Sequence, residues 1–175
     1  MLPTVQPALM RLIATLFLLA SIVTALPSRS LANDSREVEF VRIWPAWRTA
    51  DSFLRISEYF GGEENTGKET MLRTQTEDRT GFYFLTRTKN EGPSLDDAKF
   101  VLEIIKPDSP RTKIYTFPAV IPGAGHVFNL GLTGKDWGGK EMQPVAWRLR
   151  LLDAEDHELA SQQSFLWKMP DTGTP

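Results

Sequence analysis

The stretch "PVAWRLRLLDAEDHELASQQSFLW", residues 144–167, alternates apolar and polar side chains, turns once and alternates again. The apolar residues of the first arm lie on one side at a period of two: Val145, Trp147, Leu149 and Leu151. A helix does not fit, because the residue three positions after Trp147 is Arg150. The intervening "DAEDH" contains Asp and His, which tolerate the left-handed backbone of a short turn. The stretch therefore predicts a β-hairpin, and its second arm places five residues on one face: Leu159, Ser161, Gln163, Phe165 and Trp167.

Other stretches show the same alternation, or the aromatic and β-branched composition that is typical of strands. Pro, Gly and Asp residues separate them, and these residues favour turns. The predicted strands are "EVEFVRIW" (37–44), "GFYFLTRTKN" (81–90), "KFVLEIIK" (99–106), "KIYTF" (113–117) and "HVFNLGL" (126–132).

One further stretch, "DSFLRISEYFGG" (51–62), fits two interpretations. Phe53, Ile56 and Phe60 have helical spacing, which indicates a short amphipathic helix. The neighbouring segments are all strands, however, and two consecutive glycines end the stretch. On that ground the sequence favours a strand.

With the hairpin, these stretches make seven or eight short strands, a pattern that favours an all-β antiparallel sandwich. From Lys99 onward, the order of hairpin, "HVFNLGL" and second hairpin resembles the second half of an immunoglobulin-like or fibronectin type III module. An aromatic residue followed by alternating apolar residues marks the penultimate strand of that family, and "WRLRLLDAEDHEL" is similar. Trp147 stands where the family usually has Tyr, and the paired Cys of antibody domains are absent. The resemblance implies an immunoglobulin-like sandwich over residues 33–168, and it brings no functional residue with it.

The N-terminal residues predict export. Residues 1–32 contain Arg11 and Arg29, no acidic residue, and the apolar run "LIATLFLLASIVTAL". That run has the length of a signal-peptide core and is short for a membrane span. Small residues at Ser30 and Ala32 fit a cleavage site before Asn33, although an uncleaved N-terminal anchor is the alternative. We expect a signal peptide at 1–32, a C-terminal tail at 169–175, and a protein of the periplasm or the extracellular space.

Charge and composition limit the classes of partner. The full chain carries a net charge of −2, and removal of residues 1–32 takes away two basic residues and no acidic one, which leaves −4. Positive and negative residues are interspersed, whereas nucleic-acid binding usually requires a basic face. No second long apolar run follows the first, so we expect no membrane span after signal cleavage. The chain has no Cys, which excludes a lipid anchor on cysteine.

The sequence gives no clear motif for a cofactor or a metal. "GEENTGKET" (62–70) has the glycine and lysine spacing of a phosphate-binding loop, but Glu69 stands where such a loop needs Ser or Thr, so we interpret it as a solvated hairpin loop. The only two histidines are His126 and His157. His157 lies among the acidic residues of the hairpin turn, which by itself offers too few convergent ligands for calcium or zinc. We therefore expect neither a metal nor a cofactor.

Catalytic patterns are equally weak. The chain lacks Cys and a Gly-x-Ser-x-Gly motif. A triad could assemble from distant residues such as Ser164, His126 and Asp136, but nothing in the sequence selects those three. The expected function is therefore non-enzymatic, and a small hydrolase is kept as an alternative.

Tryptophan is the most suggestive residue type, with five in the chain. Trp137 lies in the Gly-rich, charged stretch "GLTGKDWGGKEMQP", and Trp47 follows Pro45, which is expected to interrupt strand pairing. A loop Trp between glycines and charges is typical of residues that stack on a sugar or anchor a partner. The alternative is that Trp137 folds back and closes the end of the sandwich. Trp137 and Trp47 are the candidate ligand-binding residues.

These observations favour a non-enzymatic exported protein that mediates protein interaction or assembly in the cell envelope. One alternative is a carbohydrate-binding module in which Trp137 and Trp47 bind polysaccharide. Strand addition is a further mode of partner binding, with "KIYTF" and "EVEFVRIW" as candidate edge strands. The charges near the ends of both are also typical of protection against unwanted pairing.

Overall fold

The computed structural model describes residues 38–168, which form eight strands in two four-stranded sheets. The predicted signal peptide and the C-terminal tail lie outside these residues. The strands are β1 (Val38–Arg48), β2 (Glu69–Arg73), β3 (Gly81–Asn90), β4 (Leu95–Lys106), β5 (Ser109–Ile121), β6 (His126–Thr133), β7 (Ala146–Leu152) and β8 (Glu158–Gln163). The helices are α1 (Ile56–Gly61) and short 3-10 turns at Ala50–Phe53, Gly134–Asp136 and Phe165–Lys168.

Sheet A has the order β1-β3-β6-β2, and sheet B has the order β5-β4-β7-β8. All neighbouring strands are antiparallel except β2 and β6, which are parallel. The prediction of an all-β sandwich is confirmed. "EVEFVRIW" lies mainly in β1 and "KIYTF" lies in β5, and both strands are at sheet edges, as expected.

The core lies between the inner faces of the two sheets. Every second residue of the central strands points inward, so the period of two seen in the sequence becomes one buried layer for each sheet. Each fully buried side chain of this type contributes roughly 1.5–3 kcal/mol through the hydrophobic effect. The largest are Phe82, Phe84, Phe100, Leu102, Ile104, Phe128, Leu130, Leu132, Leu149 and Leu151.

The hairpin that predicted the fold is β7 and β8. Leu149 and Leu151 are fully buried, and Asp156 adopts the left-handed backbone expected in the turn, with φ 67°. The prediction that the second arm extends to Trp167 is wrong. Pairing ends at Ser164, whose backbone N–H donates to the carbonyl of Trp147, and the chain then forms a 3-10 turn. Trp167 packs beside Arg148, whose guanidinium carbon lies 5.5 Å from the centre of the ring.

Two local predictions are corrected. Residues 51–62 do not form a strand but the 3-10 turn and α1. The Glu58 side chain accepts a hydrogen bond from the backbone N–H of Arg55 at 3.3 Å, and Gly62 ends the helix with a φ of 73°. Pro45 does not interrupt pairing but lies opposite Phe84 within β1. An edge strand tolerates proline, because the missing N–H can face away from the sheet.

The loop at 62–68 is exposed except at Thr66, as expected for a solvated segment, but it joins α1 to β2 and is therefore not a hairpin loop. Among residues 38–168, no helix is long and apolar enough to span a membrane.

Candidate functional site

The structure places both candidate tryptophans against the core. Trp137 is only 5 % exposed, and its ring stacks on Phe82 with centroids 4.6 Å apart. Trp47 lies opposite Phe82 in the β1–β3 register, and it is half-buried and packed against the core. Trp137 thus packs on Phe82, and Trp47 packs against the core from the strand position opposite it. This position corresponds to the alternative in which Trp137 closes the end of the sandwich.

Lys106 completes this end of the sandwich. Lys106 follows the inward-facing residues of β4, and its side chain is buried. Its ammonium donates a hydrogen bond to the backbone carbonyl of Asp136. The Nζ atom lies 5.3 Å from the centre of the Trp137 ring and 5.7 Å from that of Tyr115, so two aromatic faces surround the cation. Burial lowers the pKa of Lys106 and raises the pKa of Tyr115 to about 12. Lys106, Trp137 and Tyr115 therefore pack together and close this end of the sandwich.

The residues considered for catalysis are engaged separately. The Ser164 hydroxyl accepts from the backbone N–H of Trp147 at 3.0 Å. His126 Nε2 is 2.9 Å from the Thr70 hydroxyl, and Asp136 accepts from the Gln75 amide at 2.7 Å. The structure does not bring these groups together as a triad.

The hairpin turn does group three possible metal ligands. The ligand atoms of Asp153, Glu155 and His157 lie within 4.8 Å of one another. Asp153 already accepts backbone hydrogen bonds from the other two residues, at 3.0 and 2.8 Å, so its carboxylate closes the turn. The group has the features of a solvated turn.

A different surface, the outer face of sheet A, combines free charge, an exposed aromatic and a concave shape. The β1–β3–β6–β2 register arranges its side chains in rows that cross all four strands. The first row is Arg42, Arg87, Val127 and Glu69, the second is Trp44, Leu85, Asn129 and Met71, and the third is Ala46, Tyr83, Gly131 and Arg73.

Residues 49–68, which we call the flanking segment, cover the third row at Tyr83. Phe53 of this segment packs on the Tyr83 ring with centroids 4.7 Å apart. The Tyr83 hydroxyl donates to the carbonyl of Arg79 at 2.7 Å and accepts from Arg73 Nε at 3.1 Å. Gly131 leaves room for the Tyr83 ring, since a Cβ at this position would lie 2.8 Å from its Cζ atom. Tyr83 is therefore buried although it points away from the core.

Ion pairs attach the flanking segment to β2 and to the loop that joins β2 to β3. Arg73 forms a two-point pair with Glu64, with Nη1 and Oε2 3.0 Å apart. Arg79 Nη1 lies 2.7 Å from Glu58 Oε2, and its Nη2 lies 3.5 Å from Glu64 Oε2. The hydrogen bonds from Arg73 and Arg79 lower the pKa values of Glu64 and Glu58, respectively, against the opposing effect of burial. The four charges neutralise one another.

These lowered pKa values predict that acid loosens the flanking segment. A carboxyl whose pKa is lower in the folded state stabilises that state above its unfolded pKa of about 4.3, and the stabilisation is lost as the pH falls through the folded pKa. For the partly buried Arg73–Glu64 pair, a hydrogen bond to a charged group contributes roughly 1.5 kcal/mol or more. We therefore expect amide hydrogen exchange in residues 49–68 at pH 3.5 to be about tenfold faster, relative to intrinsic rates, than at pH 6.

Two observations check this prediction. The central amides of β4 should keep their protection over the same pH range, because no ion pair of the flanking segment touches them. In Glu64→Gln the segment should exchange fast at both pH values. Equal protection of residues 49–68 at pH 3.5 and pH 6 in the unmodified protein would contradict the prediction.

A cavity of about 270 Å³ lies between the flanking segment and the second row. Its polar lining includes Arg48, Arg55, Asn65, Thr66, Glu69 and Asn129. A shallower groove of about 570 Å³ continues from Glu69 over the first row, beside Lys68, Arg87 and Val127. The two depressions share Glu69, so they form one concave surface.

The cations of this surface lack acidic partners. Arg42 lies over the ring of Trp44, 4.6 Å from its centroid, and directly opposite Arg87. Among residues 38–168, no carboxylate forms an ion pair with Arg42, Arg87, Arg48 or Lys68. Trp44 itself is 52 % exposed. The face therefore presents free guanidinium groups beside an accessible indole.

Beside this surface, α1 displays large apolar side chains to solvent. Ile56, Tyr59 and Phe60 are 78 %, 75 % and 88 % exposed. Their spacing of three and four residues places them on one side of the helix. The opposite side carries Glu58, which pairs with Arg79.

No protein-family model matches the sequence, and no curated protein matches it significantly. The function must therefore be argued from this surface. Sequence reasoning selected Trp47 and Trp137 and missed the exposed residues. The available signals were the position of Arg42 and Trp44 on the side of β1 opposite Ile43, and the helical spacing within residues 51–62.

Proposed function

We propose that this chain is an exported, non-enzymatic β-sandwich protein that binds a protein partner in the cell envelope. The observation that carries the proposal is the exposed apolar side of α1, formed by Ile56, Tyr59 and Phe60. Contiguous apolar groups that a fold holds in solvent are typical of interaction sites. The N-terminal export signal predicted from the sequence supports the location.

Contacts with the rest of the fold hold α1 in place, so its apolar side chains are positioned for contact with a partner. A helix of six residues is not stable alone in water. Here the Arg79–Glu58 pair and the Phe53–Tyr83 contact hold its position on the sheet. A rigid surface loses little conformational entropy when a partner binds, so its exposed apolar groups act as preformed anchors. Burying each one would contribute roughly 1.5–3 kcal/mol.

We also propose that the sandwich is immunoglobulin-like, and the strand order supports this. If β2 is set aside, sheet A contains β1, β3 and β6, and sheet B contains β4, β5, β7 and β8. Immunoglobulin-type sandwiches have strands A, B, E and D in one sheet and C, F and G in the other, and the variable type adds C′ to the second sheet. In this chain β2, next to β6, takes the edge position that D holds next to E. In this correspondence the flanking segment and β2 are inserted between A and B.

The experiment uses the exported chain with a C-terminal tag, incubated with envelope extract and cross-linked before capture. Replacing Ile56, Tyr59 and Phe60 by serine should reduce recovery of the main captured protein at least about tenfold, since a loss of 1.4 kcal/mol suffices for that factor. The matched control replaces Ile114 and Val120, two exposed apolar residues of β5 in sheet B, by serine. Recovery that is equal for the α1 variant and the control would contradict the proposal.

Carbohydrate binding is a second candidate function, favoured by the exposed Trp44 beside a cavity lined by Asn65, Thr66 and Asn129. Under this alternative, neutral polysaccharides should change the tryptophan fluorescence, and the change should disappear in Trp44→Ala. A Trp47→Phe variant should keep the response, because Trp47 packs against the core. No response to a panel of neutral polysaccharides would eliminate this candidate.

A further inference from the structure

We infer that the partner contributes an acidic, extended peptide segment that lies across the outer face of sheet A, from the Arg42–Arg87 pair to Arg48. The inference rests on the proposed function for the existence of a protein partner, and it adds the chemistry of the contact.

Arg42 and Arg87 lie directly opposite one another in the β1–β3 pairing. Residues opposite one another in antiparallel strands have Cβ atoms about 4.5–5.5 Å apart, and like charges at such positions are destabilising. No carboxylate among residues 38–168 forms an ion pair with either guanidinium. An external carboxylate between the two groups would remove this repulsion. The pair is therefore a site for an acidic group.

This face carries a local excess of positive charge, although the net charge of the whole chain is −2. The nearby carboxylates of Glu58 and Glu64 already pair with Arg79 and Arg73. Glu69 accepts a hydrogen bond from Asn129 at 2.8 Å and is the acidic group that remains in the groove. Against it stand five cations without ion pairs within residues 38–168: Arg42, Arg87, Arg48, Arg55 and Lys68. Lys89, which also lines the groove, pairs with Glu39 and Glu91. The face attracts anions although the whole chain is acidic.

The geometry favours an extended peptide. Arg42 and Arg48 are on the same side of β1 and six residues apart, which corresponds to about 20 Å at roughly 3.3 Å per residue. An extended peptide of six or seven residues covers the same distance. Its alternate side chains repeat about every 7 Å, the spacing of successive rows on the sheet. Acidic residues at alternate positions would then meet the cations at both ends of the face.

Stacking prepares Arg42 for this contact. Its guanidinium carbon lies 4.6 Å from the centre of the Trp44 ring, and a stacked guanidinium keeps its N–H edge free. Such an edge binds a carboxylate through two parallel hydrogen bonds. Trp and Arg are also the residue types most enriched at the energetic centres of protein interfaces. The Arg42–Trp44 unit thus fits a Glu or Asp side chain.

The test measures fluorescence anisotropy of a labelled octaglutamate peptide with the exported chain, and octaglutamine is the neutral probe. Octaglutamate should bind, octaglutamine should not, and binding should weaken between 50 and 500 mM salt. Arg42→Gln combined with Arg87→Gln should raise the Kd at least about tenfold. The matched control, Arg111→Gln with Lys113→Gln, removes the same charge from β5 of sheet B and should leave the Kd within about twofold.

Equal loss of octaglutamate binding in the two double variants would overturn the inference, as would no binding at 50 mM salt. Tighter binding of polygalacturonate or of vesicles rich in anionic lipid, lost in the Arg42/Arg87 variant, would replace the acidic peptide by that ligand. The proposed function is judged separately by the α1 variant. Partner capture that depends on α1 but not on Arg42 and Arg87 would leave the proposed function standing and end this inference.

Discussion

Replacing Trp137 by alanine is expected to lower the free energy of unfolding by about 3–5 kcal/mol, the usual range for loss of a large buried aromatic side chain. The ring is buried, stacks on Phe82 and covers the buried ammonium of Lys106. Its removal leaves a cavity and uncovers that cation. Urea unfolding monitored by circular dichroism measures the change.

The matched control is Trp44→Ala, which removes an indole that is 52 % exposed. It should cost less than about 1 kcal/mol, the size of the cation–π contact with Arg42. The comparison separates a structural from a binding tryptophan. A Trp137→Ala protein as stable as the Trp44→Ala protein would show that Trp137 is not part of the core.

Gly131→Ala is expected to destabilise the fold by about 1–3 kcal/mol through overpacking and to detach the flanking segment. The new methyl group would lie 2.8 Å from Cζ of Tyr83, so the ring must move. A displaced ring loses its contact with Phe53 and its hydrogen bonds with Arg73 and Arg79. Amide exchange in residues 49–68 should accelerate more than exchange in β4.

Gly61→Ala is the control for this change, because a Cβ at Gly61 meets no atom within 4 Å. It should be neutral or slightly stabilising, since alanine is the better helix former. Tyr83→Phe keeps the ring and removes only the hydroxyl, and it should accelerate exchange in the flanking segment less than Gly131→Ala does. Unchanged protection of residues 49–68 in Gly131→Ala would show that Tyr83 does not hold the segment in place.

The regular part of the sandwich could be predicted because its signals are local. In β3, β4 and β7, alternation or β-branched and aromatic composition marks the strand, and turn residues mark its ends. β2 escaped prediction, since five residues carry little pattern and the pairing of β2 with β6 is parallel and distant in sequence. Residues 51–62 were predicted wrongly because the strand argument came from sequence neighbours, and this segment packs on the sheet instead of joining it.

The candidate site was less predictable, because burial of a tryptophan depends on which residues it meets. The Gly-rich surroundings of Trp137 are typical of an exposed loop, but Phe82 and Lys106, from distant strands, enclose it. Trp44 and Trp47 lie on either side of Pro45 and Ala46, and the register of β1 turns the first outward and the second inward. The opposition of Arg42 and Arg87 likewise exists only once two strands pair.

The most direct measurement of the central claim, that the side of sheet A carrying α1 is the partner-binding surface, is site-specific photo-cross-linking in the cells that produce the protein. A photoreactive residue at Tyr59, which is 75 % exposed on α1, should form an adduct of defined mass with one envelope protein. The same residue at Ile114, which is 62 % exposed on sheet B, should not. An adduct at Ile114 and none at Tyr59 would contradict the account.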